Sequence, residues 1–180
     1  MIIGFAGPSC SGKTTLARKT SEILNCPLVH MDQFCIHDAE KPIVNGYASY
    51  EQPHQYDHIA TLKHLEDISS HHKDIIIEGF LLFSYPELYK KCDLHFFIDL
   101  DYEIQKERRL KRSSQKEYDG VWLTGHSNDA DKGFLAHGKE EWEKYGAIQK
   151  TLKDIISLNG SDNSNHLMET IIKTIEEKKS

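Results

Sequence analysis

The segment Gly7-Pro8-Ser9-Cys10-Ser11-Gly12-Lys13-Thr14 constrains this chain more than any other. It fits the spacing G-x-x-x-x-G-K-[ST], the Walker A pattern in which a loop wraps an anion with its own backbone. Glycines at both ends allow backbone angles that turn successive N–H groups inward. Lys13 brings a point charge toward β- and γ-phosphates, and the Thr14 hydroxyl is placed to ligate Mg²⁺. The flanks agree. Met1-Ile2-Ile3-Gly4-Phe5-Ala6 reads as a short buried strand, and Leu16, Thr20, Ile23 and Leu24 recur at helical spacing, so a strand feeds a loop that opens into a helix N-terminus. Gly7, Ser9, Cys10, Ser11, Gly12, Lys13, Thr14 and Thr15 are therefore the candidate nucleotide-binding residues, and ATP with Mg²⁺ is the expected ligand.

At 180 residues the chain is long enough for one domain with a real core and too short for two ordinary ones, so residues 1–180 read as a single unit. A net charge of -6 leaves no general basic surface, which argues against nucleic acid as the main partner and for a small molecule. The four cysteines, Cys10, Cys26, Cys35 and Cys92, lie far apart with no C-x-x-C pair. Neither a zinc site nor a disulfide framework is expected, and a reducing cytoplasm is the simplest home. No apolar run approaches the roughly 20 residues of a membrane span, and the phosphate loop interrupts the first apolar run too early for a signal peptide.

A first helix is expected from about Thr14 to Leu24, followed by a strand, Leu28-Val29-His30-Met31, with Asp32 at its carboxyl end. Ligands of open α/β sheets gather outside those ends. Asp32 is thus a candidate to accept the proton of an attacking hydroxyl or to hold Mg²⁺ through water; an Asp that caps a turn is the alternative. From Phe34 to Pro53 the chain reads as an irregular loop, whose Tyr47, Tyr50 and Glu51 suit a planar base and a ribose diol. A helix is expected from Tyr56 to about Ser70, with Ile59, Leu62, Leu65 and Ile68 on one side, and His54, His58, His64, His71 and His72 read as surface residues.

Asp74 to Gly79 is the clearest buried strand, and Glu78 stands where a Walker B carboxylate belongs, near Mg²⁺ or the attacking oxygen. A further buried strand, Leu94 to Ile98, follows Pro86 and a short linker. The next helix, beginning near Tyr102, carries Lys106, Arg108, Arg109, Lys111 and Arg112. That cluster suits either a lid closing over phosphates or a solvated face paired with Glu103 and Glu107. Ser113 to Gly138 is polar and Gly-rich, and a mobile stretch is expected there. Lys139 to Lys153 is expected to be helical with Trp142, Tyr145 and Ile148 inward. A last strand, Ile155 to Leu158, leads through Asn159-Gly160-Ser161, expected beside the adenine, to an amphipathic helix carrying Leu167, Met168, Ile171 and Ile175.

Five strands alternating with helices behind a phosphate loop predict an α/β fold of the P-loop NTPase type. Its sheet is five-stranded and parallel, with helices on both faces and a helical lid over about 102–138. No D-x-x-G and no N-K-x-D occurs, which removes the usual readers of a GTPase, and the small size with two strand-end acids favours phosphate transfer to a small acceptor. The segment Ile75-Ile76-Ile77-Glu78-Gly79-Phe80-Leu81-Leu82-Phe83 resembles the corresponding strand and turn of nicotinamide riboside kinases and, more broadly, of the uridine kinase-like branch of P-loop kinases. Met31-Asp32-Gln33-Phe34, Tyr50-Glu51-Gln52-Pro53, and Arg108-Arg109-x-x-Arg112 followed by Tyr118-Asp119-Gly120 add to the likeness, which spans most of residues 1–122.

The resemblance implies an enzyme that uses MgATP to phosphorylate the 5′-hydroxyl of a ribonucleoside, with nicotinamide riboside first. Uridine or cytidine is the near alternative, and a non-catalytic ATP-binding regulator is the alternative from another class. Carried over by position, it makes Asp32 the general base, Thr14 the Mg²⁺ ligand and Glu78 a second acid at the metal. Tyr50 becomes the stacking ring and Glu51 the ribose ligand, with Asp57 as its rival. Arg108, Arg109 and Arg112 form the lid, with Arg109 also on the substrate side.

Overall fold

Strands made almost wholly of apolar residues have no face to give to water, so they are expected inside a sheet covered on both sides. The computed structural model, which describes residues 1–36, 39–113, 117–118, 121–122 and 128–180, has that arrangement. In chain order the elements are β1 (Ile2–Ala6), α1 (Lys13–Leu24), β2 (Leu28–His30), β3 (Ile43–Val44), β4 (Tyr47–Ala48), α2 (His58–Ser69), β5 (Ile75–Gly79) and α3 (Pro86–Lys91). They continue with β6 (Leu94–Asp99), α4 (Tyr102–Ser113), β7 (Glu117–Tyr118), β8 (Val121–Trp122), α5 (Asn128–Glu141), β9 (Ile155–Asn159) and α6 (Ser164–Lys179). The main sheet is five-stranded in the order β2-β5-β1-β6-β9, with every neighbouring pair parallel.

Alternation along the strands sorts the core into two layers. Ile3, Phe5, Ile76, Phe96 and Ile98 face α1 and α6, where they meet Leu16, Ala17, Leu167, Ile171 and Ile175. Ile2, Ala6, Ile75, Ile77 and Phe97 face the other way, onto Leu65 of α2, Leu88 of α3 and the Phe80 to Phe83 turn. β1 therefore lies in the middle of the sheet with both faces covered, and the loop that leaves its carboxyl end is held from both sides. The approach is close at Gly7, whose φ is +147°: a Cβ there would lie 2.4 Å from the Ile98 carbonyl oxygen on the neighbouring strand.

Five expectations about local structure are corrected. Residues 34–53 are not irregular throughout, because β3 and β4 form an antiparallel hairpin. Its two-residue turn is Asn45-Gly46, with φ of 49° and 84°. Such a turn matches the twist of paired strands, and Asn-Gly is its usual sequence. The linker after Pro86 is a helix, α3, with Pro at its first turn where the missing N–H costs nothing. The stretch read as polar and mobile as far as Gly138 contains most of α5, whose buried face carries Phe134 and His137. Beyond Glu141 the backbone turns through a π-helical and then a 3₁₀ segment. That shift exposes Ile148 at 57 % and turns Gln149 inward at 0 %, where its amide bonds Phe83 N, Phe80 O and Gly146 O. On α2, Ile59 is likewise exposed while Leu65 is buried.

Candidate active site

The phosphate loop has the backbone form of an anion cradle. α1 follows its N-cap Gly12, φ 94°, with no side-chain cap and no acid in its first turn, an arrangement that suits an anion at its N-terminus. Cys10 also takes a positive φ of 61°, which turns the loop around its own centre. Lys13 Nζ folds back to 3.4 Å from the Pro8 carbonyl oxygen. The Ser11 hydroxyl is buried and has no partner among the described residues. Thr15 is half-buried on the first turn of α1.

The carboxylate of Glu78 reaches the loop from β5. Its Oε2 accepts a hydrogen bond from Thr14 Oγ1 at 3.1 Å, and its Oε1 lies 2.8 Å from His30 Nδ1. The second contact follows from register, since His30 on β2 is the Cα partner of Glu78 on β5. Burial opposes the charge of Glu78. The hydrogen bond from His30, the Lys13 ammonium and the Thr14 hydroxyl outweigh it and hold the carboxyl below its usual range. The hydrogen bond to Glu78 in turn raises the His30 imidazole above its ordinary value, against the effect of burial. An anionic carboxylate beside a hydroxyl offers hard oxygen ligands suited to Mg²⁺, and the neighbouring loop N–H groups suit the phosphate chain.

Asp32 is exposed at the start of the 3₁₀ turn after β2. Its charge acts on His30, on the Tyr56 phenol and on Glu51, which also feels Lys13 and Arg109. These groups are therefore close enough to act on one another's charge. Glu51 is partly accessible to solvent but enclosed by protein, and burial pushes its carboxyl up to about 7, with Arg109 and Lys13 opposing and Glu141 and Asp32 adding to the rise. Tyr56, which sequence reasoning took only as the start of a helix, has its phenol raised by burial and by the Asp32 and Glu51 charges. A cavity of about 510 Å³ beside it is lined by Ile36, Pro53, Asp57, Ile59 and Tyr85 as well. Tyr50 is 44 % exposed, with Lys41 Nζ 5.7 Å from its ring centre. Asp57 Oδ1 accepts the Ala60 N–H at 2.8 Å and caps α2, so at least one of its oxygens has a structural task.

The arginines of α4 divide their work. Arg108 donates to the Cys10 carbonyl at 3.2 Å and to the Gly160 carbonyl at 3.1 Å, tying the helix to the phosphate loop and to the loop after β9. Arg109, 9 % exposed, donates to Ser9 Oγ at 3.1 Å and to Asp131 Oδ1 at 3.0 Å, and its guanidinium lies 4.5 Å from the Phe134 ring centre. Arg112, a turn further on, is half-buried. Asp119 and Gly120 of the expected lid pattern lie outside the described residues. Two sets of partners escaped the sequence reading. His30 was signalled only as a polar residue inside a strand, and Ser49 and Glu141 gave no signal because their contact joins distant segments.

The AAA domain family matches residues 3–132. Nicotinamide riboside kinase 1 of Homo sapiens is 32% identical over 148 residues, covering 69% of this chain and 71% of its own. Uridine kinase of Leuconostoc citreum is 26% identical over 193 residues, covering 91% and 89%. Among solved structures, shikimate kinase from Acinetobacter baumannii superposes with a TM-score of 0.59 at 13% identity over 99% of this chain and 94% of its own, which bears on the fold.

Proposed function

Because the chain belongs to the AAA domain family and, within it, to the nicotinamide riboside kinase and uridine kinase-like P-loop kinases, we propose that it is an ATP-dependent kinase acting on the 5′-hydroxyl of a ribonucleoside, with nicotinamide riboside as the leading acceptor. One observation supports the reading above others: the Thr14 hydroxyl on the phosphate loop donates to the Glu78 carboxylate, and the charges of Lys13, Asp32 and Arg109 all act on Glu51. A phosphate site on one side and a carboxylate-lined pocket on the other suit a donor and a polyhydroxyl acceptor held side by side.

In this mechanism Asp32 takes the proton of the acceptor hydroxyl as that oxygen attacks the γ-phosphorus, and ADP leaves on the far side. Lys13 and Arg109 balance charge on the transferring group, and the loop amides hold the donor phosphates. Thr14 and Glu78, with Asp32 through water, are the residues to hold Mg²⁺, which supplies charge neutralisation on the phosphates when bound. Glu51 holds the ribose hydroxyls, with Asp57 as the second candidate, and Tyr50 covers the base.

The experiment is an ADP-release assay with MgATP over nicotinamide riboside, uridine, cytidine and other ribosides. Turnover of nicotinamide riboside with the highest kcat/KM is the expected result, and no turnover of any riboside ends the claim. The match to a uridine kinase over 91% of this chain supports uridine as the second reading, and the same assay ranks the two. Comparing Glu51→Gln with Asp57→Ser, which keeps a capping oxygen, identifies the ribose ligand as the residue whose loss raises acceptor KM.

A further inference from the structure

Four side chains of α5 that share one face, Asp131, Phe134, His137 and Glu141, follow each other at spacings of three and four residues. The first two hold the lid arginine. Asp131 accepts from Arg109, and the Phe134 ring lies under the guanidinium and stacks on Tyr102 with ring centres 5.5 Å apart. The last two hold the loop that follows the β3-β4 hairpin. The Ser49 hydroxyl lies 2.6 and 2.7 Å from the two Glu141 oxygens, Gln52 Nε2 donates to Oε1 at 2.9 Å, and His137 Nδ1 is 2.7 Å from Oε2. Asn45 in the hairpin turn donates to the Ala136 carbonyl of the same helix at 2.9 Å.

The centre of this network is buried. Ser49 is 0 %, His137 3 % and Glu141 5 % exposed. Ser49 and Gln52 meet the Glu141 oxygens, and a buried polar contact of this kind fixes one geometry more narrowly than apolar packing does. The residues it grips, Ser49 and Gln52, flank Tyr50 and Glu51.

We propose that Glu141 is a positioning residue for the acceptor: through Ser49 and Gln52 it fixes the loop bearing Tyr50 and Glu51, while the same helix face fixes Arg109, so α5 sets the spacing between acceptor and transferring phosphate. The proposal deepens the kinase reading and rests on it for its kinetic test. Ordering the acceptor's loop before the acceptor arrives spares binding that entropic cost, so loss of this brace is read in the riboside KM.

The test uses the whole chain and the variant Glu141→Gln, with riboside varied at saturating ATP, MgATP affinity measured by calorimetry without acceptor, and amide hydrogen exchange followed across residues 43–52. The riboside KM is expected to rise about tenfold or more while kcat changes less and the MgATP Kd stays within about twofold. Exchange across 47–52 quickens, and that of β1 and β5 does not change. Ser49→Ala reproduces the effect, and Ser49→Thr, which keeps the hydroxyl, retains the parent's KM. A riboside KM equal to the parent's overturns the proposal, as does an equal loss of riboside and ATP affinity, which signals general damage. Should the parent turn over no riboside, the kinase reading fails and exchange alone decides: acceleration confined to 47–52 supports the brace, and unaltered exchange there overturns it.

Discussion

Carboxylates in this cleft differ because their neighbours differ. Glu78 is pinned as an anion by His30, Lys13 and Thr14, whereas Asp32 is exposed, and the proposed mechanism gives it the acceptor hydroxyl. Removing the base without changing its size separates transfer from binding. Asp32→Asn should lower kcat by about 10² to 10⁴-fold and leave the MgATP Kd within about twofold, measured by single-turnover assay and calorimetry; unchanged turnover would remove the base assignment. Glu51 carries the opposite perturbation, a carboxyl raised to about 7. The folded state then holds a proton that the unfolded chain releases, so its contribution to stability is present at low pH and lost as pH climbs from the ordinary carboxyl range through about 7. Glu51→Gln should therefore raise the melting temperature at pH 8 by the equivalent of on the order of 1 kcal/mol, discounted for its partial exposure, and change little at pH 5. Acceptor KM in the parent should fall over the same interval, because the anion accepts hydrogen bonds from both ribose hydroxyls. A flat KM profile between pH 6 and 8 would contradict that role.

Elements are placed by their ends as much as by their faces. α2 starts where Asp57 caps the Ala60 N–H and Pro53 sets the preceding turn. Asp57→Ala should cost about 1 kcal/mol in denaturant titration, and Asp57→Ser should recover most of it. The hairpin shows why one part of the site was missed. Asn45-Gly46 is a strong turn signal, but β3 and β4 have only two residues each, too few for a visible alternation of apolar and polar positions. α5 was obscured for a related reason: Gly133 and Gly138 weaken its propensity, and the helix persists because tertiary contacts fill its buried face.

Over the whole molecule, a sheet packed on both sides makes the site a rim feature of a stiff frame. Ile76 is fully buried between β2 and β1 and packs into the layer under α1. Ile76→Ala should cost about 2–5 kcal/mol by thermal or chemical denaturation without altering any group in the cleft. MgATP at about 100 times its Kd should return about 2.7 kcal/mol of that, and no shift of the melting curve with MgATP would count against nucleotide binding. The phosphate loop, the apolar strands and the amphipathic terminal helix could be read directly from sequence because each is specified by residues within a few positions of one another. Convergence could not. Thr14 meets Glu78 across 64 residues, Ser49 meets Glu141 across 92 and Ser9 meets Arg109 across 100. Local chemistry told which residues can bind phosphate or take a proton. Only the packed sheet, which fixes strand order and register over distances that no local pattern encodes, decided which of them meet.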